Sequence, residues 1–192
     1  MQIHASTNGT HLKVQVDLTN PTDEVIYLLN VLSDWYGMLN DPLQDRSKHR
    51  NAAPTRQLAY VCLGAHDEAV LLNGEGPGPG HMVSMMQPRR PLGTRLQPRE
   101  RLTNTLALPL PLLEWHAHEP PSATETRRVA IARLHYRLEW ICHSQANDIM
   151  EIGAWPGVWR VSGPEVHTLE ASTTLGSSIT LLARCDAFPR FG

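Results

Sequence analysis

Val129-Ala130-Ile131-Ala132-Arg133-Leu134-His135-Tyr136-Arg137-Leu138-Glu139-Trp140-Ile141-Cys142-His143 is the stretch that decides the fold. Leu134, Tyr136, Leu138, Trp140 and Cys142 fall on one side of an extended chain. Arg133, His135, Arg137, Glu139 and His143 fall on the other, with Ile141 the one interruption. A helix would scatter these residues around its axis, whereas a strand sorts them onto two faces.

The same period of two recurs along the chain. Leu12, Val14, Val16 and Leu18 alternate with Lys13, Gln15, Asp17 and Thr19. Asn20-Pro21-Thr22-Asp23 then breaks the strand, because proline fixes φ and asparagine tolerates turn geometry. Residues 25–32 follow and are apolar on both faces, the pattern of a central strand covered on each side. Further strands are expected at 58–63, 69–72, 102–110, 158–161, 166–169 and 178–184, with a short one at 82–86. Pro109 and Pro111 donate no ladder hydrogen bond and place the end of their strand at an edge or bulge. About nine to eleven strands separated by turns, with no convincing helix, predict an all-β, antiparallel two-sheet sandwich of immunoglobulin-like or Greek-key type. Residues 1–192 read as one domain. It carries an irregular insertion at about 34–57 and a glycine- and proline-rich loop at 74–81.

Composition excludes several classes. The chain has 192 residues, of which 41% are hydrophobic and 19% charged, so neither disorder nor a charged coiled coil fits. The formal charge of -2 lacks the basic excess of a general nucleic-acid binder. No apolar run reaches the ~20 residues that cross a bilayer. The residues from Met1 to Asn8 show neither a basic start nor an apolar core, so no secretory signal is expected. Cys62, Cys142 and Cys185 are far apart and odd in number, which suits inert thiols in a reducing cytoplasm; a bridge between two of them would require a mature secreted form.

The segment 12–28, in which an alternating strand ends at Asn20-Pro21 and the chain turns back, resembles the first two strands of bacterial immunoglobulin-like domains. Leu96-Gln97-Pro98-Arg99-Glu100, followed by alternating leucines, is similar to a mid-domain strand entry in the same domains. The resemblance implies a sandwich with a binding or structural role, and it transfers no functional residue. The antibody-type Cys-Trp-Cys arrangement is not met, since no tryptophan lies between Cys62 and Trp115.

Three functions are compatible with these residues. In the first, the chain is a non-catalytic interaction or assembly module whose partner is another protein or a second copy. The insertion would then offer Trp35, Tyr36 and Met38, residue types that favour interfaces; the alternative is that they fold back as a plug over one open end. Arg133 and Arg137, with His135 between them and Arg127-Arg128 upstream, form the one basic row. It would meet an acidic partner or a phosphate backbone, but no aromatic shares the face to stack bases. The plainer reading is a solvated face paired with Glu139 and acids of a neighbouring strand.

The second function is a metal domain. His116 and His118 on one strand face would stand about 6–7 Å apart. Glu119 or His81 would complete a zinc or copper site, and methionines 82, 85 and 86 would add soft sulfur. Against this, His116 and His118 immediately precede Pro120-Pro121, where a solvated strand end explains them equally well. No cofactor beyond such a metal is expected. The third function is an enzyme whose site is assembled from distant residues. Gly-x-Ser-x-Gly is absent, and neighbours such as Cys142, His143 and Ser144 point to alternate sides of a strand. The loop at 74–80 is glycine-rich but lacks the Lys-Ser/Thr of a phosphate loop, and its prolines remove amide donors.

Overall fold

The computed structural model describes residues 1–32, 54–73, 91–114 and 126–184. Strands hold 68% of these residues and there is no α-helix among them. Among the described residues no helix is long and apolar enough to cross a membrane.

Two sheets pack together. The smaller contains β1 (Gln2–Thr7), β2 (His11–Thr19) and β7 (Arg101–Pro109) in the order β1-β2-β7, all antiparallel. The larger is built on β3 (Ile26–Val31), β6 (Leu92–Leu96), β9 (Thr126–Cys142) and β12 (His167–Arg184). Its order is β10-β11-β6-β3-β9-β12-β8, where β10 is Asp148–Glu151, β11 is Trp159–Ser162 and β8 is Leu112–Leu113. A hairpin of β4 (Tyr60–Leu63) and β5 (Ala69–Asn73) joins β9 through β5, beside β3.

Alternation holds where it was read. Leu12, Val14, Val16 and Leu18 of β2 face inward, and so do Leu134, Tyr136, Leu138, Trp140 and Cys142 of β9. They form one core with Leu106, Leu108, Ile26, Leu28, Leu96 and Leu181. Ile141, the interruption in the pattern, is buried on the opposite face with Tyr27, Leu29 and Val161. A third small cluster joins Val31, Leu92 and Val158. Thus β3 is buried at every residue, as its two-sided apolar sequence requires.

Three sequence expectations need correction. The described residues alone hold twelve strands rather than nine to eleven. The sandwich is not wholly antiparallel, since β5 runs parallel to β9 and β8 parallel to β12. Residues 166–169 and 178–184 are not separate strands but the two ends of β12. Its register against β9 shifts between Thr174 and Ile179, with Gly176 inside the irregularity. The shift coincides with a change of phase in β9. Val129 and Ile131 are buried before it, Ala132 and Arg133 are both exposed, and burial resumes at Leu134.

The two segments that carry the family resemblance meet in space. Asn20, fully buried, donates from Nδ2 to the carbonyls of Glu24 and Gln97, each at 2.8 Å. Its Oδ1 accepts from the Thr22 amide at 3.0 Å and the Thr22 hydroxyl at 2.9 Å. Its backbone amide donates to the Glu100 carbonyl at 2.9 Å. One side chain therefore fixes the β2–β3 turn against the β6–β7 turn and satisfies every polar group it buries. Residues 55–57 span the sheets at the opposite ends of β3 and β7. Thr55 bridges Leu32 at the end of β3, and the Gln57 carbonyl accepts from the Ala107 amide of β7 at 2.8 Å.

Candidate functional site

Arg133 and Arg137 stand on the outer face of β9 as the alternation places them, but Arg137 is not a free cation. Its guanidinium lies 3.9 Å from Glu139 on its own strand and 3.9 Å from Glu170 on β12. His135 contacts Ser172 at 2.9 Å and lies 3.7 Å from Glu170. The register pairs Glu170 directly with Arg137 and Ser172 with His135, so one acid comes from the neighbouring strand and the other, Glu139, from β9 itself. This face is charge-balanced, and Arg133 is its exposed member.

The C-terminal end of β9 gathers the densest set of reactive side chains among the described residues. His143 leaves the strand into a short 3-10 turn, and its Nδ1 lies 3.1 Å from the Tyr27 hydroxyl. The Ser144 amide donates to the Glu24 carboxylate at 3.2 Å. Hydrogen bonds from the Ser144 hydroxyl and the Cys142 thiol hold the Glu24 carboxyl below the usual carboxylate range. Burial, with Glu24 beside it, pushes the Cys142 thiol up to about 11. A thiol in that state is protonated at neutral pH and is not a nucleophile. On the far side His167 stacks on Trp140 with ring centroids 4.4 Å apart, and its Nε2 lies 2.9 Å from Gln145 Oε1. This corner is a hydrogen-bonded network that holds the turn after β9 against β3 and β12.

Cys62 is equally inert, pushed up to about 12 by burial. Both Cys62 and Cys142 are free. No group of three or more His, Cys, Asp or Glu side chains able to hold a metal exists among the described residues. His81, His116 and His118, and the insertion residues Trp35, Tyr36 and Met38, lie outside the described residues.

Sequence reasoning placed the end of the Pro109 strand at an edge or bulge, and β7 is an edge strand; it did not identify the other edges. The edges differ in how they are closed. β7 has its Ala107 amide taken by Gln57 and its Asn104 side chain bonded to the Arg56 carbonyl, and it ends on Pro109. β4 has its Leu63 amide taken by the Glu114 carboxylate at 2.9 Å. β10 carries Asp148 and Glu151, and β8 is two residues long. Each is a recognised way of blunting an edge. β1 has none of these devices, although it packs closely against β12 of the facing sheet. Gln2-Ile3-His4-Ala5-Ser6-Thr7 contains no Lys, Arg, Asp, Glu or Pro, and among the described residues it pairs with β2 alone. The signal was present in the sequence as a short neutral run opening the chain, but alternation there is weak because Ala5 and Thr7 stand where larger apolar residues would mark the face.

No family model matches the chain, and no curated protein and no solved structure matches it either.

Proposed function

We propose that the chain is a non-catalytic immunoglobulin-like sandwich serving as a protein-interaction or assembly module, with contacts made through the open side of its three-stranded sheet. The strand order supports the immunoglobulin part of this reading. β1-β2-β7 facing β6-β3-β9-β12 has the order of strands A-B-E facing C′-C-F-G in that architecture, with β4–β5 and β10–β11 as additions. The observation that carries the interaction reading is the contrast between β1, which bears no charge and no proline, and the edges β7 and β10, which do. A neutral six-residue strand that pairs on one side only among the described residues is a template for another chain. The test is a photocrosslinking residue in place of exposed His4, compared with one in place of exposed Glu151, in the native cell. Adducts at position 4 and not at 151, lost when Ala5→Pro is added, support the reading. Identical adducts at both positions, or none at either, overturn it.

A further inference from the structure

We propose that Asn8 is a site of spontaneous covalent modification, losing its side-chain amide through a succinimide formed with the Gly9 nitrogen. Asparagine followed by glycine occurs twice in the chain, at Asn8-Gly9 and at Asn73-Gly74. The reaction needs the main-chain nitrogen of the following residue to reach the asparagine Cγ. Glycine, with no Cβ, opposes that approach least. The reaction also needs water at the carboxamide and a backbone free to bend. Both steps have the same sequence, so their surroundings decide between them.

Asn73 ends β5 with only 3% of its surface exposed. It is paired with Leu138 at the last position of the β5–β9 ladder, which holds its backbone extended. Asn8 is placed the opposite way. It begins the turn between β1 and β2, a setting that favours Asn-Gly, and it is exposed together with Gly9 and Thr10. Gly9 has φ +89°, and a Cβ there would meet nothing within 4 Å. The Asn8 Oδ1 accepts from the His11 amide at 2.8 Å, and from the Thr10 amide and the Thr10 hydroxyl at 3.2 Å each. These bonds keep the carboxamide folded over the turn. They also draw electron density from Cγ, the atom under attack. The Gly9 amide takes no part in them.

Water is the one co-reactant. The Gly9 nitrogen bonds to Asn8 Cγ as the Cγ–Nδ2 bond breaks, and Nδ2 leaves as ammonia with the proton that Gly9 gives up. Water then opens the ring. Attack at Cγ leaves an ordinary aspartyl residue, and attack at the Asn8 main-chain carbonyl leaves the β-linked isomer. Either product adds a negative charge beside β1. The β-linked product also lengthens by a methylene the loop that sets the register of β1 on β2.

Incubation of the intact folded chain at mildly alkaline pH tests this, read by peptide mass mapping and by enzymatic methylation of β-linked aspartate. Asn8 is expected to convert progressively, and faster than at neutral pH because the Gly9 amide must shed its proton, while Asn73 keeps its amide. In the chain unfolded by guanidinium both convert, so burial and not sequence protects Asn73. Gly9→Ala slows the conversion at position 8, and Asn8→Gln, which would have to close a larger ring, stops it. An Asn8 that keeps its amide in the folded chain over the time in which the unfolded chain loses it overturns the assignment. So does a folded chain in which Asn73 converts as fast as Asn8.

Discussion

β2 and β3 are consecutive strands with opposite fates. Every second residue of β2 is wet, while β3 is buried from end to end. The difference is positional. β2 lies in the middle of a three-stranded sheet whose outer face meets water. β3 lies deep in the larger sheet, with the main core on one side and the cluster of Tyr27, Leu29, Ile141 and Val161 on the other. A strand with one wet face needs alternation, and a strand with two dry faces must be continuously apolar. The larger sheet is thus the one with two layers to defend, and the smaller is the one free to present a surface.

Truncation sharpens this contrast most. Leu28→Ala and Leu29→Ala, on opposite faces of β3, should each cost about 2–5 kcal/mol in urea unfolding. In β2, Leu12→Ala should fall in the same range, whereas its neighbour Lys13→Ala should stay within about 0.5 kcal/mol. A Leu29→Ala variant as mild as Lys13→Ala would break the comparison. Next in size is Asn20→Ala, at the turn joining the two strands. It leaves the Gln97 and Glu24 carbonyls without their donor and should cost about 2–3 kcal/mol.

Gly93 and Gly176 carry the contrast to the sheet's interior. A Cβ on Gly93 would run into the Leu28 carbonyl of β3, a backbone atom that cannot swing aside. Gly176 opens onto space within the irregular part of β12. Gly93→Ala should cost about 1–3 kcal/mol, and Gly176→Ala less than about 0.5 kcal/mol, read from thermal or urea unfolding.

Legibility tracked burial. β2, β3 and the second half of β9 could be read because large apolar residues mark one face or both. β6 was missed because Gly93 and Thr94 stand where larger apolar residues would have marked the strand; the close approach to β3 demands the glycine, and the Thr94 hydroxyl donates to buried Asn30 at 2.8 Å. β12 was split in two because Gly176 reads as a break, although a three-residue change of register lets the strand continue. The neutralising acids on the outer face of β9 were anticipated in type. That Glu170 is the partner of both His135 and Arg137 depends on the register of β12, which no local pattern specifies. β1 itself escaped notice because its alternation is weak, and its edge position because that depends on what lies beside a strand.

Two carboxylates on the outer faces give the subtlest test. Asp17, on the small sheet, accepts from the Thr103 hydroxyl at 2.6 Å and from Gln15 at 2.8 Å, with Arg101 at 3.3 Å. These bonds, Thr103 first, hold its carboxyl below the ordinary value. Glu139, on the large sheet, is shifted the other way. Burial raises it, Arg137 at 3.9 Å offsets only part of that, and its Oε2 has no hydrogen-bond partner. The signs of the linkage are therefore opposite. Asp17 contributes stability above the unfolded carboxyl range that is lost as pH falls through its depressed folded value. For Glu139 the folded state holds its proton more tightly than the unfolded state, so relative stability is greatest in acid and declines as pH rises through the raised value. Asp17→Asn should destabilise at neutral pH and become neutral once both states are protonated. Glu139→Gln should stabilise by about 1 kcal/mol at neutral pH, with the gain vanishing in acid. Chemical unfolding of the two variants across that pH range reads both signs. A Glu139→Gln variant less stable than wild type at neutral pH would show that the charge on the large sheet is compensated, and would remove the asymmetry between the two outer faces.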